Sequence, residues 1–140
     1  MRCHTIPLRL LDLEGNGFHI LVEINIFKET HFAVVDTGAS KSVFDKEFIF
    51  QKAVHTSVAD NIQANTLFST SETLQANIPV FQIGSLKIKD LEILAIDLSS
   101  VSETYAQLGH PPIVGIIGGD ILVNYHAIIN YQNAFLRLYK

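Results

Sequence analysis

HFAVVDTGASKSVF, residues 31–44, places a carboxylate at the point where an apolar strand ends. Asp36 comes directly after four apolar residues, and the small or polar residues that follow it are Thr37, Gly38, Ala39 and Ser40. A charged side chain beside a buried strand costs free energy unless it is hydrogen-bonded, paired or neutralised. Asp36 is therefore either a structural turn residue or a functional carboxylate.

The physical properties of the residues in an Asp-Thr-Gly turn favour the functional interpretation. Gly38 can adopt a positive φ and lets the backbone turn sharply, which leaves its N–H free to point back at the carboxylate. Thr37 and Ser40 offer hydroxyl groups for hydrogen bonds within the same loop. The carboxylate is thus predicted to be held and aimed. The alternative is an Asp that caps a turn, as in many D-x-G sequences.

Length and composition indicate one globular domain. The chain has 140 residues, 48% of them hydrophobic, and a formal net charge of -4. This size predicts a single domain over residues 1–140 with a real core. The charge argues against a phosphate-binding surface, so nucleic acid is not expected as a partner. Cys3 is the one cysteine, which rules out an intrachain disulfide and favours a reducing compartment.

The start of the chain does not resemble a secretory signal, and no apolar run has the length of a transmembrane helix. We therefore expect a soluble, cytoplasmic protein with no membrane partner. The six histidines show no paired spacing typical of a metal site, so neither a metal nor another cofactor is predicted. They are His4, His19, His31, His55, His110 and His126.

Strands dominate the pattern of apolar residues. Residues 18–26 alternate, with Phe18 among the apolar side chains on one face, and EGNG at 14–17 predicts a hairpin with the segment before it. Further strands are predicted at 31–35, 54–63, 72–83, 86–97, 113–117, 127–131 and 134–139. The segments between them are too short for regular crossover helices, which disfavours a doubly wound parallel fold.

Two or three short helices fit the remaining gaps. Asp45 is predicted to cap a helix over KEFIFQKAV, and Ser100 or Ser102 to cap one over ETYAQLG. Asp120 stands before ILVNY in the same way.

A similar short sequence pattern occurs in two distant parts of the chain. VVDTG at 34–38 and IIGGD at 116–120 both place an apolar pair before a glycine-containing turn. We expect these two strand ends to pack together in one site.

AVVDTGASKSVF at 33–44 resembles the active-site loop of the retropepsin-like aspartic proteases. GIIGGDIL at 115–122 resembles the strand and short helix that follow later in that family, and AIINYQNAFLRLY at 127–139 is similar to its final strand pair. The resemblance spans nearly the whole chain. It implies an all-β, acid-protease (retropepsin-like) closed β-barrel with one or two short helices.

The resemblance implies a role for each matching residue. Asp36 would be the catalytic aspartate, Thr37 the residue that locks two active-site loops together, and Gly38 the turn glycine. Ser40 would support the carboxylate beside Ala39. The strand behind the loop would contain Ile116, Ile117 and Gly118. Asp120 is interpreted as the cap of the following helix, and not as a second catalytic acid.

The chemistry of the family needs two carboxylates, of which one activates a water molecule and the other protonates the substrate carbonyl. This chain has one Asp-Thr-Gly sequence. The resemblance therefore implies a homodimer that takes one Asp36 from each subunit and cleaves peptide or protein substrates.

Two departures from the family pattern affect the function. The expected flap, residues 61–75, contains no glycine, and Ser69, Thr70 and Ser71 would have to form its tip. Gly119 replaces an arginine that pairs with an acid in retroviral members, so that ion pair is predicted to be absent. A non-catalytic peptide-binding or dimerisation module on the same fold is the alternative function. A third interpretation is an unrelated ligand-binding barrel in which Asp36 is only a turn residue.

Overall fold

The computed structural model describes residues 1–52, 54–58 and 73–140. These residues form eleven strands and three short helices. The strands are β1 (Cys3–Pro7), β2 (Arg9–Asp12), β3 (Phe18–Ile26), β4 (Glu29–Val35), β5 (Val43–Asp45), β6 (Thr56–Val58), β7 (Leu74–Ile83), β8 (Leu86–Ile96), β9 (Ile113–Ile117), β10 (Ile128–Asn130) and β11 (Phe135–Tyr139). The helices are α1 (Lys46–Gln51), α2 (Ser99–Gln107) and α3 (Gly119–Asn124).

The main sheet closes into a six-stranded barrel. Its eight strands run in the order β2-β3-β4-β9-β5-β8-β7-β6, and an additional pairing joins β3 to β7. The six strands from β3 round to β7 therefore form a closed ring, while β2 and β6 extend beyond it. The predicted all-β closed barrel is confirmed, with three short helices, which is within the two or three that fit the sequence pattern and one more than the resemblance implied.

The first hairpin forms where the turn sequence predicted it. β2 and β3 pair antiparallel up to Asp12 and Phe18, and the amide of Leu13 donates to the carbonyl of Gly17 at 2.9 Å. Gly15 and Gly17 both have positive φ, which glycine adopts without steric cost. Phe18 was predicted to face the core, but 66% of its surface is exposed because it lies at the hairpin end, beyond the core.

The barrel has a core on both sides of its central strands. The larger cluster fills the interior, and a smaller cluster joins Val34 of β4 and Ile116 of β9 to Val101 and Tyr105 of α2. Strands that are buried on both faces read as continuous apolar runs. This second cluster explains why AVV at 33–35 and IVGII at 113–117 lack alternation.

One of the predicted helix caps is present and another is not. The Asp45 carboxylate accepts from the amide of Phe48 at 3.3 Å and caps α1, as predicted. Neither Ser100 nor Ser102 caps α2, because that helix begins earlier, at Ser99. The Asp97 carboxylate accepts from the Ser99 amide at 2.9 Å, and this hydrogen bond lowers the pKa of Asp97.

Part of the predicted flap falls outside the described residues. β6 and β7 pair antiparallel from Thr56 opposite Ala76 to Val58 opposite Leu74. The strand predicted over 54–63 is therefore present at 56–58 and begins two residues later than predicted, while residues 59–63 and the flap residues 61–72 lie outside the described residues. No helix in the described ranges is long and apolar enough to cross a membrane.

A second, three-stranded sheet joins the two ends of the chain. β11 lies between β1 and β10 and pairs antiparallel with both. Leu136 and Leu138 point into the core and are fully buried, whereas Arg137 on the opposite face is exposed. The strand predicted over 134–139 is therefore present, and its side chains alternate between the core and the outer face.

Truncation of Leu136 tests this sheet. Leu136→Ala is expected to lower the free energy of unfolding by about 2–5 kcal/mol, because it opens a cavity in the core. Arg137→Ala, one residue away on the exposed face, is the matched control and should cost less than about 1 kcal/mol. Urea denaturation measures both values. Equal losses for the two variants would contradict the assignment of faces.

Candidate active site

The ends of β4 and β9, which carry the two similar sequence patterns, lie side by side. β4 and β9 pair in parallel, with Val34 opposite Ile116 and Val35 opposite Ile117. The amide of Asp36 donates to the carbonyl of Ile117 at 3.0 Å. Because parallel strands end at the same edge of a sheet, this pairing brings Asp36 next to Gly118. The prediction that the two segments pack together is confirmed.

The turn aims the Asp36 carboxylate. The amide of Gly38 donates to Oδ1 of Asp36 at 2.8 Å, and the amide of Ala39 donates to the Asp36 carbonyl at 3.2 Å. Gly38 does not use the positive φ that is open to glycine, because it lies outside the left-handed region. A Cβ atom there would lie 3.2 Å from Oδ1 of Asp36, so glycine is favoured by the close approach of the carboxylate.

One oxygen of Asp36 is left free within the described part of the chain. Oδ1 accepts from Gly38, and Oδ2 makes no hydrogen bond to any described residue. The side chain is half-buried, and Thr37 beside it is exposed, with no side-chain hydrogen bond to a residue in the described ranges. The role of Thr37 in locking two loops together therefore stays a prediction.

Ser42 holds the loop in place. This residue is fully buried, and its amide and hydroxyl both donate to Oδ1 of Asp120, at 2.9 and 2.7 Å. Its hydroxyl also accepts from the amide of Gly118 at 2.9 Å. Ser40, which the resemblance placed in a supporting role, is exposed, and its hydroxyl makes no hydrogen bond to a described residue. The supporting role of Ser40 therefore stays a prediction.

Asp120 is a structural acid, but it does not cap the helix as predicted. Gly118 occupies the N-cap position of α3, and Asp120 lies in the first turn. Its Oδ1 atom accepts from the amide of Ile121 at 2.9 Å in addition to the two groups of Ser42. A carboxylate that binds three donors in this way stabilises the loop and the helix start.

Backbone contact replaces a side-chain ion pair between the two loops. The amide of Gly119 donates to the carbonyl of Ala39 at 2.7 Å. A Cβ atom on Gly118 would lie 2.7 Å from the Ala39 oxygen and 2.8 Å from the Lys41 oxygen. Since both are backbone atoms, no side-chain movement would relieve the clash. Glycine at this position is what allows the two loops to touch.

A cavity of about 240 Å³ opens beside Asp36. Its walls combine apolar side chains with a few polar ones, and come from the first hairpin, β4, β9, α2 and the loop after β10. They are Phe18, His19, Ile20, Val34, Val35, Asp36, Thr37, Val101, Tyr105, Ile116 and Tyr131. Concave sites of this composition are typical of ligand-binding pockets.

Sequence reasoning did not identify the residues that face Asp36 across this cavity. Tyr105 is almost fully buried, and its hydroxyl lies 2.5 Å from Nδ1 of His19. Burial and, to a smaller extent, the charge of Asp36 raise the pKa of Tyr105 to about 12. The one available signal was the four-residue spacing of Val101 and Tyr105, which places both on one face of α2. No group of three or more metal-ligating side chains occurs in the described ranges.

Comparison with known proteins agrees with this geometry. A family model described as aspartyl protease matches residues 22–121, which is well over half of the chain. The chain belongs to the aspartyl protease family. No curated protein sequence matches it.

Two solved structures share the fold of this family member. A retropepsin-like aspartic protease from Rickettsia conorii has a TM-score of 0.59 and 14% sequence identity, over 99% of this chain and 91% of that one. The retroviral protease-like domain of Ddi1 from Leishmania major has a TM-score of 0.53 and 16% identity, over 84% of this chain and 86% of that one. At these identities the likeness shows a retropepsin-like fold.

A pair of neighbouring glycines tests the contact between the two loops. Gly118→Ala is expected to lower the free energy of unfolding by at least about 2 kcal/mol, because its Cβ meets fixed backbone atoms. Gly119→Ala is the matched control. A Cβ atom there would have only ordinary contacts at 3.5 Å, so its effect should stay within about 1 kcal/mol. Thermal and urea unfolding measure the stability of both variants. Equal losses in unfolding free energy would contradict the assigned contact.

Proposed function

We propose that this aspartyl protease family member is an endopeptidase that hydrolyses peptide bonds, with Asp36 as its catalytic residue. The observation that supports this most strongly is the Asp36 carboxylate itself. It stands at the end of the paired strands β4 and β9, it is aimed by the Gly38 amide, and it borders a cavity. Its second oxygen has no partner among the described residues, so it is free to bind a water molecule or a substrate carbonyl.

A shared site completes this chemistry. Two carboxylates about 3 Å apart hold one proton between them, because both cannot ionise cheaply. The ionised one takes a proton from the attacking water, and the protonated one donates to the carbonyl oxygen. Since each chain has one Asp-Thr-Gly sequence, we propose a homodimer in which both Asp36 loops meet at the two-fold axis. The exposure of Thr37 and Gly38 leaves this loop open to such a contact.

The substrate of the proposed enzyme is an extended peptide segment. Strand-like binding sends alternate side chains to opposite sides. One such side chain would enter the cavity beside Asp36, whose apolar walls include Ile20, Val34 and Ile116. The protein is proposed to work in a reducing compartment such as the cytoplasm, where its exposed and unpaired Cys3 would stay reduced.

Replacement of the carboxylate tests the catalytic role. Asp36→Asn is expected to abolish cleavage of an unfolded protein substrate and to leave the fold intact, because the amide keeps the shape but is a very poor base. Asp90→Asn is a suitable control, since Asp90 is exposed and has a positive φ that Asn tolerates well. Cleavage is followed by gel or mass spectrometry, and the fold by circular dichroism. Full activity of Asp36→Asn would overturn the assignment.

Mixing of subunits tests the shared site. When wild-type and Asp36→Asn chains are combined in equal amounts and allowed to exchange, about half of the wild-type chains end in mixed dimers. These dimers hold one catalytic carboxylate, so activity per wild-type chain should fall by about half. Dilution of wild type should lower specific activity as dimers dissociate. A strictly monomeric species with full specific activity would contradict the homodimer.

A transition-state mimic distinguishes the enzyme from the two alternatives. A peptide with a hydroxyl-bearing isostere needs only the paired carboxylates and the groove, so it should raise the melting temperature of the dimer. Cleavage together with this shift supports the endopeptidase. A shift without cleavage indicates a non-catalytic peptide-binding module, and neither effect indicates an unrelated ligand-binding barrel.

A further inference from the structure

We propose that Tyr105 is a positioning residue for Asp36, and that protonation of His19 decides whether the Tyr105 hydroxyl donates to His19 or into the Asp36 cavity. The effect on catalysis rests on the proposed endopeptidase function. The hydrogen-bond switch itself is a property of the folded chain and is tested separately.

The geometry fixes the two side chains against each other. His19 lies near the start of β3, and Tyr105 lies in the last turn of α2. The Tyr105 hydroxyl is 2.5 Å from Nδ1 of His19, and the two rings meet edge-on with centroids 5.7 Å apart. Tyr105 is only 1% exposed, so its hydroxyl has a defined place in the wall of the cavity.

The direction of this hydrogen bond depends on whether Tyr105 or His19 supplies the hydrogen. The raised pKa of Tyr105, about 12, keeps the phenol protonated at any pH at which an aspartic protease works. A neutral imidazole that carries its proton on Nε2 accepts the phenolic hydrogen at Nδ1. An imidazolium carries hydrogens on both nitrogens, so it must donate to the Tyr105 oxygen. Protonation of His19 therefore releases the phenolic hydrogen.

The released hydrogen can turn toward the cavity, because Tyr105 and Asp36 both line it. No hydrogen bond joins Tyr105 to Asp36 in the described structure, but the carboxylate is near enough for its charge to raise the pKa of Tyr105. A hydroxyl dipole turned toward the carboxylate, with an imidazolium behind it, stabilises the ionised form of Asp36. By linkage, ionised Asp36 favours protonated His19 to the same extent.

Within the described ranges, no group other than His19 hydrogen-bonds the Tyr105 hydroxyl. Across the β2–β3 pairing, His19 faces Leu11, and the neighbouring Asp12 binds the amide of Gly15. His110 meets the Tyr105 ring edge-on, and its Nδ1 donates to the carbonyl of Pro111. Tyr131 is the remaining titratable residue in the walls of the cavity. Asp36 is therefore the acidic residue among those that line this cavity with the pair.

Histidine NMR of the intact, ¹⁵N-labelled protein tests the switch without any substrate. Neutral His19 is expected to carry its proton on Nε2. Protonation of its ring should move to lower pH in Asp36→Asn, because loss of the negative charge disfavours the imidazolium. Tyr105→Phe should change the Nδ1 signal of His19. A neutral ring protonated on Nδ1, or a midpoint unchanged in Asp36→Asn, would overturn the proposal.

The pH profile of cleavage tests the consequence for the reaction. His19→Gln removes the imidazolium, and Tyr105→Phe removes the hydroxyl at nearly the same volume. Either variant should move the acid limb of kcat/KM to higher pH, by about half a unit for His19→Gln, because ionised Asp36 loses stabilisation. A merely structural role would lower kcat/KM evenly at every pH, and that result would overturn the positioning role.

Two controls complete this test. His55→Gln changes an exposed histidine, and Tyr139→Phe changes a tyrosine of the terminal sheet, so neither should move the acid limb.

The NMR and cleavage experiments together distinguish failure of the proposed function from failure of the hydrogen-bond switch. If wild type does not cleave peptides but the NMR coupling is present, the proposed function fails and the switch stands. If cleavage is normal and the coupling is absent, the switch fails alone.

Discussion

The site depends on one close contact, between the loop after Asp36 and the start of α3. Three groups make it: the buried hydroxyl of Ser42, the amide of Gly118 and the carboxylate of Asp120. A buried hydroxyl without partners would cost free energy, and here it both donates and accepts. This contact fixes the end of β4 against the end of β9, and the direction of the Asp36 carboxylate follows from it.

Three aspartates near strand ends illustrate how similar residues serve different purposes. Asp45 accepts from the amides of Phe48 and Leu98, and Asp120 accepts from Ser42 and Ile121. Both carboxylates are occupied by donors of the chain itself. Asp36 accepts from Gly38 through one oxygen and leaves the other free among described residues. Among the described residues Asp36 thus accepts one hydrogen bond, whereas Asp45 accepts two and Asp120 three, so the Asp36 carboxylate has the most capacity left for a partner from outside the chain.

The sequence predicted most of the strands, the first hairpin and the meeting of the two segments with similar sequence patterns, because local alternation and turn chemistry determine them. It did not predict Ser42, since its partner Asp120 is 78 residues away and nothing nearby distinguishes it from Ser40. The pairing of His19 with Tyr105 spans 86 residues and was missed for the same reason. The burial of Phe18 was predicted wrongly, because alternation shows which face of a strand a side chain lies on but not where the core ends.

The terminal sheet bears on how the chain reaches its folded state. β11 is bordered on both sides by strands of the same chain, so the final strand needs no second molecule to complete its hydrogen bonds. Long-range pairing of the two ends closes the largest loop in the molecule, which is an entropic cost within one chain. The pairing of the final strand is therefore an intramolecular step, and the sheet that contains it can form before the chain meets a second copy.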